Sequence, residues 1–407
     1  MDRHPAAAPL PPDIDFLAWQ GVPEEWLRQA VRLSASRSTA ASQELLAMGF
    51  DRERYFSLLA ADLGIAFVDR LDGTEIVADA GLLATDAVRL AACVLVRFGA
   101  RSLLVVAPQH DELELLRRHL ADTPRLAARL RIATPETIRA FIVANRHAAL
   151  THYAVNRLAR VLPPLSAQSL REARGARGAT ALVAAVLALA VLAPIATLKA
   201  LALLGTAFFF NCSFWKLAAA FRRARPMRVE PVSDRSLPTY TVLVPLYREA
   251  EVAADLVRHM RRIDYPQSKL QVLLIVEADD LETRAALERH AVSPPFEVVV
   301  VPPGEPRTKP KALTYALAFA RGDFVVVYDA EDRPEPDQLR KAAAAFRERP
   351  GLGCVQARLA PDNRGSWFAR MFTLEYAANF EVLLPALADW GAPLPLGGTS
   401  NHFPGLM

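Results

Sequence analysis

The stretch from Gly178 to Phe221 constrains this chain more than any other, because its only charged residues are Lys199 and Lys216. As one helix it would run about 66 Å at 1.5 Å per residue. A bilayer core is about 30 Å thick and takes ~20 residues to cross. The run therefore fits two transmembrane helices within 178–221, joined near Pro194–Lys199. Arg171, Arg174 and Arg177 precede it, and Arg222, Arg223, Arg225 and Arg228 follow it. Positive outer flanks put both ends in the cytoplasm, as in a multi-pass protein of the inner membrane. Two other readings fit the same residues: one long span with a buried extension, or the core hairpin of a soluble domain. The first span is short if it ends at Pro194.

The chain has 407 residues, enough for two or three domains. Its net charge is only +4, which gives no general affinity for nucleic acid. Cys93, Cys212 and Cys354 lie far apart, without metal-ligand spacing, and read as reduced buried thiols. The N-terminus has no apolar core of a signal peptide. Its Pro/Ala-rich residues 1–15 read as a mobile arm.

Residues 16–150 read as a compact α+β domain with a regulatory or docking role. Apolar spacing over 45–67 predicts helix, starting near Asp51. Residues 88–99 and 102–108 form an expected hairpin turning at Gly99–Arg101. A helix is expected over 111–122, then a strand, then a helix opened by Thr134 as N-cap and Pro135 at N1. Residues 151–177 read as a basic linker.

From Leu237 the pattern alternates strand and helix. Strands are expected at 240–247, 270–280, 296–303 and 323–332, and helices at 249–263, 281–291 and 311–321. That order implies a mostly parallel sheet covered on both faces. In such sheets ligands sit beyond the carboxyl ends of the strands. Three of those ends carry Tyr247–Arg248–Glu249, Glu277–Ala278–Asp279–Asp280 and Asp329–Ala330–Glu331–Asp332.

Like-charged carboxylates repel unless a cation lies between them. An all-oxygen set suits Mg²⁺ or Mn²⁺ shared with substrate phosphates, and no His or Cys adjoins it to favour zinc. Lys309 and Lys311 open the preceding helix, where charge and helix N-terminus together suit a phosphate. One mouth with metal, lysines and acids describes a site for a nucleoside diphosphate. The bland alternative is that the acids of 329–337 are a solvated loop and a helix start.

Residues 237–403 resemble a family-2 glycosyltransferase of the membrane-embedded, cellulose-synthase-like group. The resemblance rests on VPLYRE (244–249), EADD (277–280), KPKAL (309–313), DAED (329–332) and LGGTSNHF (396–403), in that order. It implies a GT-A-like fold: an α/β, mostly parallel sheet with helices on both faces, preceded by the transmembrane hairpin and the small α+β domain. It implies inverting transfer from a nucleotide-sugar donor to a polysaccharide-type acceptor. By position, Tyr247 and Glu249 would contact base or ribose. Glu277, Asp279 or Asp280 would hold the nucleotide, and Lys309 and Lys311 the diphosphate. Asp329 with Glu331 or Asp332 would bind the metal, Mg²⁺ or Mn²⁺. DAED departs from the family's DxD, so the choice between Glu331 and Asp332 stays open. Gly397, Gly398, Thr399, Ser400, Asn401 and His402 would lie on the acceptor side.

The apolar segment 365–387 reads either as a helix on the membrane surface or as an ordinary core helix. The family's catalytic base lies beyond the position of Met407, and residues 404–407 depart from the family pattern. The expectation is therefore an incomplete catalytic domain without its base. Two other readings stand beside it: a non-catalytic nucleotide-binding or regulatory membrane protein, and a glycosyltransferase acting on a lipid carrier.

Residues 45–69, 102–108 and 130–142 resemble the N-terminal domain of type II secretion ATPases. That resemblance implies cyclic di-GMP as a partner of the N-terminal domain, although the form that binds it carries an Arg-x-Gly-x-x-Leu motif whose glycine is missing here. A docking or folding module is the bland alternative.

Overall fold

The computed structural model describes residues 9–77, 84–99, 101–166, 174–222, 230–291 and 293–405. It forms two compact bodies. One comprises Met1–Val155, Val229–Val355 and His402–Met407; the other comprises Asn156–Arg228 and Gln356–Asn401.

The first body begins with helices α1 (Asp15–Ala18), α2 (Glu24–Arg37), α3 (Ala41–Ala47) and α4 (Arg52–Leu63). Asp51 starts α4 as expected, its carboxylate accepting the Arg54 N–H at 2.6 Å. The proposed arm is shorter than 1–15. Asp13 and Ile14 are buried, because Ile14 belongs to the apolar core; residues 1–8 lie outside the described residues.

Strands β1 (Ala66–Phe67) and β2 (Glu75–Ile76) follow. The expected strand over 88–99 is divided. Ala84–Leu90 is helix α5, and only Cys93–Phe98 forms β3, paired antiparallel with β4 (Arg101–Val106). Val88 from α5 and Val96 from β3 are both buried in one core. Helix α6 spans His110–Asp122, and β5 spans Leu130–Ile132. The Thr134 hydroxyl caps helix α7 through the Thr137 N–H at 3.1 Å. Helix α7 runs Pro135–Val161, across the boundary expected at residue 150. The sheet order is β1-β5-β4-β3-β2.

The second sheet is the α/β unit read from the sequence. Its parallel strands are β6 (Tyr240–Leu246), β7 (Leu270–Glu277), β8 (Phe296–Val301) and β9 (Phe324–Val327), in spatial order β9-β6-β7-β8. Tyr240 pairs with Leu270 on one side and Phe324 on the other. The edge beyond β9 carries β11 (Asn401–Pro404) and then β10 (Val355–Gln356). Every residue of β7 is buried, as a strand covered on both faces requires.

One face carries Val242, Val244, Val272, Leu274 and Val326. It packs on α10 (Ala253–Met260), α11 (Leu281–His290) and α13 (Gln338–Glu348), through Leu256, Leu287 and Leu339. The other face carries Leu243, Leu273, Ile275, Val299 and Val325. It shares one continuous core with Tyr315 and Phe319 at and just beyond helix α12 (Lys309–Ala316), and with Val88, Ile138 and Ile142 of the N-terminal region. Polar ties cross the same junction. Glu44, fully buried, accepts from Arg37, from Thr39 and from the Ser268 hydroxyl at 2.6 Å. The buried Arg139 reaches Glu297 at 3.2 Å, and Arg321 bonds the same carboxylate. The N-terminal region is thus built into the packing of the second sheet.

In the other body, α8 spans Arg174–Leu192 and α9 spans Pro194–Ala220, broken at Ala193 by the proline. Among the described residues, α9 is the one helix long and apolar enough to cross a membrane. The apolar part of α8, Gly178–Leu192, is shorter, so two complete spans are not established. Helix α14 (Trp367–Ala377) passes through a π-helical turn, Ala378–Leu383, into α15 (Leu384–Asp389). The Trp215 and Trp390 rings lie 5.5 Å apart, and Arg222 Nε donates to Asp389 at 2.7 Å. No residue of α14 is buried, and Trp367 and Phe368 are largely exposed. An ordinary core helix does not fit that exposure.

Candidate active site at the strand ends

The parallel sheet aims the carboxyl ends of β6, β7 and β9 at one mouth. Asp280 sits behind it. Its carboxylate caps α11 through the Thr283 N–H at 3.2 Å and also accepts the Arg248 backbone N–H. Burial alone would raise this carboxyl; the Arg248 and Thr283 hydrogen bonds outweigh it and hold it below its ordinary value. Arg248 adopts a left-handed backbone, φ 58°, uncommon outside glycine. Asp280 is thus a fixing point for the turn after β6 and is not free to hold a nucleotide.

Glu277 and Lys311 form a second interior pair. The Lys311 ammonium lies 3.1 Å from the carboxylate, with 2% and 8% of the two side chains exposed. Lys311 also donates to the Gly304 carbonyl at 3.2 Å. The expected contacts of Glu277 with nucleotide and of Lys311 with diphosphate are not available in this arrangement, since each side chain is buried against the other.

The exposed groups at the mouth are different ones. Arg307 donates to Asp279 at 2.9 Å and to the Tyr247 hydroxyl at 3.4 Å. Its hydrogen bond and charge contact with Asp279 raise its already high pKa. The guanidinium carbons of Arg248 and Arg307 lie 5.2 and 5.9 Å from the Tyr247 ring centre. Tyr247 is 42% exposed and so presents a π surface beside two cations. Sequence reasoning passed over Arg307, although it stands two residues before Lys309 in PRTKPKAL.

The acids after β9 also divide their roles. Asp329 forms an ion pair with Lys309. Asp332 accepts the Asp329 N–H at 2.8 Å and closes the turn. Glu331 is exposed. Glu249 stands near them: burial raises its carboxyl first, a Tyr247 N–H lowers it, and the charges of Glu331, Asp329 and Asp280 raise it further. Among the described residues, no three His, Cys, Asp or Glu side chains gather as a complete metal cage. Magnesium-type sites commonly take only one or two carboxylates, with phosphate and water completing the shell. The carboxylates that add to the effect of burial on Glu249 are an excess of negative charge that suits such a cation.

The expected acceptor-side residues are mostly interior. Thr399, Ser400, Asn401 and His402 are buried, Gly397 is half-buried and Gly398 is exposed. Asn401 donates to the Gly397 carbonyl, and the Ala357 N–H donates to the Ser400 carbonyl at 2.9 Å. His402 Nδ1 lies 2.6 Å from the Tyr240 hydroxyl, and burial lowers the imidazole to about 3. Four of the six thus anchor the chain inside the fold.

Residues 238–399 match the family described as glycosyltransferase like family 2. An N-acetylglucosaminyltransferase of Mesorhizobium japonicum is 28% identical over 197 residues, 44% of this chain and 45% of that protein. A similarly named protein of Rhizobium meliloti is 29% identical over 153 residues, 36% of this chain and 34% of that protein. The beta-monoglucosyldiacylglycerol synthase of Synechocystis is 28% identical over 148 residues, 36% of this chain and 31% of that protein. The chain spans less than half the length of each of these relatives. Among solved structures, a mannosyltransferase of Pyrobaculum calidifontis bound to GDP-Man and Mn²⁺ aligns at 26% identity. The alignment covers 50% of this chain and 61% of that one, with a TM-score of 0.36.

Proposed function

From the family 2 glycosyltransferase domain that this chain carries, we propose a membrane-bound, inverting sugar transferase with its catalytic side in the cytoplasm. The donor is a nucleotide-activated sugar and the acceptor a growing glycan. The supporting observation is the mouth at the strand ends, where Tyr247, Arg248 and Arg307 face Asp279, Glu249, Asp329 and Glu331. The exposed apolar surfaces of α9 and α14 support membrane association.

Each group has a task in this reading. The Tyr247 ring stacks on the base. Arg307 leaves Asp279 in part and meets the diphosphate, a change between two anionic partners of similar geometry. Asp329 and Glu331 would hold a divalent cation, and Lys309, now paired with Asp329, would be released to face phosphate. That cation, when bound, offsets the charge that gathers on the departing nucleoside diphosphate. Lys309 and Arg307 add fixed positive charge at the same place, where it acts on the transition state more than on the ground state.

The acceptor has a second reading. The Synechocystis relative bears the name of a glycolipid synthase, and α14 exposes Trp367, Phe368 and Phe372. Both favour a lipid acceptor held at the bilayer surface.

The test is a product assay on the full chain in lipid nanodiscs, with UDP-GlcNAc and GDP-Man offered separately beside Mn²⁺. Transfer to glycan or lipid supports the reading. Absence of both nucleotide release and Mn²⁺-dependent nucleotide binding would end it.

A further inference from the structure

Gly304 is where the N-terminal region meets the rim of the mouth. It lies in the loop 302–308, between the end of β8 at Val301 and the start of α12 at Lys309. A Cβ placed on residue 304 would stand 3.0 Å from the Thr151 methyl on α7, closer than side-chain carbons normally approach. The Gly304 carbonyl accepts from Lys311 at 3.2 Å, and Lys311 is clasped by Glu277. Three residues on, Arg307 reaches Asp279 and Tyr247.

The loop's composition makes these contacts matter. Its sequence is PPGEPRT, with prolines at 302, 303 and 306. Each proline fixes one backbone dihedral, and Glu305 is restricted because a proline follows it. With φ fixed at Pro302, Pro303 and Pro306 and Glu305 restricted, few rotations remain between 304 and Arg307 to absorb a displacement at 304. The Thr151 methyl on α7 leaves no room for a side-chain carbon at 304, and Lys311 holds the Gly304 carbonyl.

We propose that Thr151 and Lys311 are positioning residues. Together they seat loop 302–308 so that Arg307 stands at the donor mouth, and the N-terminal region thereby sets nucleotide affinity without touching the nucleotide. The inference rests on the donor-site reading above for its functional half. Lys311 gains a task that fits its burial, and α7 becomes a lever from the N-terminal core to the site.

The test uses the full chain in nanodiscs as wild type, Gly304→Ala and the pair Gly304→Ala with Thr151→Ser, which removes only the crowding methyl. Hydrogen exchange of the peptide covering 300–312 reads the seating without any ligand. Gly304→Ala should speed exchange at residues 305, 307 and 308 roughly tenfold, and Thr151→Ser should return it to near the wild-type rate. Binding of UDP and of GDP, each with Mn²⁺, should weaken about tenfold in Gly304→Ala and recover in the pair. Unchanged exchange in Gly304→Ala, no recovery in the pair, or equal nucleotide affinity in all three chains would overturn the proposal. If wild type binds neither nucleotide, the donor reading fails by itself, and the exchange pattern still decides whether α7 seats the loop.

Discussion

The Lys311 ammonium lies 3.1 Å from the Glu277 carboxylate, and the rest of the molecule hides both. A lysine meant to meet phosphate would be reachable from the mouth; this one is an interior strut. Removing one member of a buried pair strands the other charge, at a cost of about 3–5 kcal/mol. Lys311→Met should therefore lower the unfolding midpoint sharply, while Lys311→Met combined with Glu277→Leu should regain most of the loss. Thermal unfolding in nanodiscs measures both. A Lys311→Met chain as stable as wild type would place this lysine at the donor after all.

Lys309 and Asp329 behave differently, being only partly buried and facing the mouth. The ion pair occupies a carboxylate that the proposed cation needs. Lys309→Ala should therefore tighten Mn²⁺ binding to the nucleotide-free chain. Asp329→Asn should weaken it at least tenfold, which is about 1.4 kcal/mol. With nucleotide-sugar present, both variants should turn over more slowly: Lys309→Ala removes an ammonium from the leaving group, and Asp329→Asn loosens the cation that would stand there. Mn²⁺ titration followed by electron paramagnetic resonance separates the two effects.

Much of the catalytic sheet was legible because its causes are local. Apolar runs such as Val272–Val276 require cover on both faces, and this one ends in acid at Glu277 where the strand leaves the core. The partition among those acids was not legible. Asp279 and Asp280 are neighbours, yet one meets Arg307 at the surface and the other caps α11 from within. Adjacent residues in a turn point in different directions, and residue type alone does not say which. The cover of the second face was equally hidden. Ile138 and Val299 share a core although far apart in sequence, and nothing local in either strand or helix names the partner. Read by itself, the N-terminal region looked like a separate domain for that reason.

That shared core makes a prediction about cooperativity. Glu44 accepts from Ser268 across the junction at 2.6 Å, with its carboxylate wholly buried. Glu44→Ala should destabilise the N-terminal region and the catalytic sheet together. Ser268→Ala should lose less in the Glu44→Ala background than alone, with a coupling of roughly 0.5–3 kcal/mol. Denaturant unfolding followed separately at tryptophan and by exchange of the β7 peptide tests it. Two transitions, with only the N-terminal one shifted by Glu44→Ala, would mean an independent module.

His402 gives the protein an acid-sensitive limb. Burial beside Tyr240 holds the imidazole neutral and lowers it from 6.5 to about 3. Between those values the unfolded chain binds a proton that the native one refuses, so stability rises with pH across that window and falls as pH drops. From pH 7 to pH 5 the loss from this group should be about 2 kcal/mol. Above pH 7 it contributes no further slope. His402→Gln cannot take up that proton, so the variant should be less stable at pH 7 yet lose less on acidification. Unfolding midpoints of both chains between pH 5 and pH 7 read this directly. Parallel slopes would mean that the imidazole is already protonated in the fold, or that water reaches its Nε2, which has no partner among the described residues.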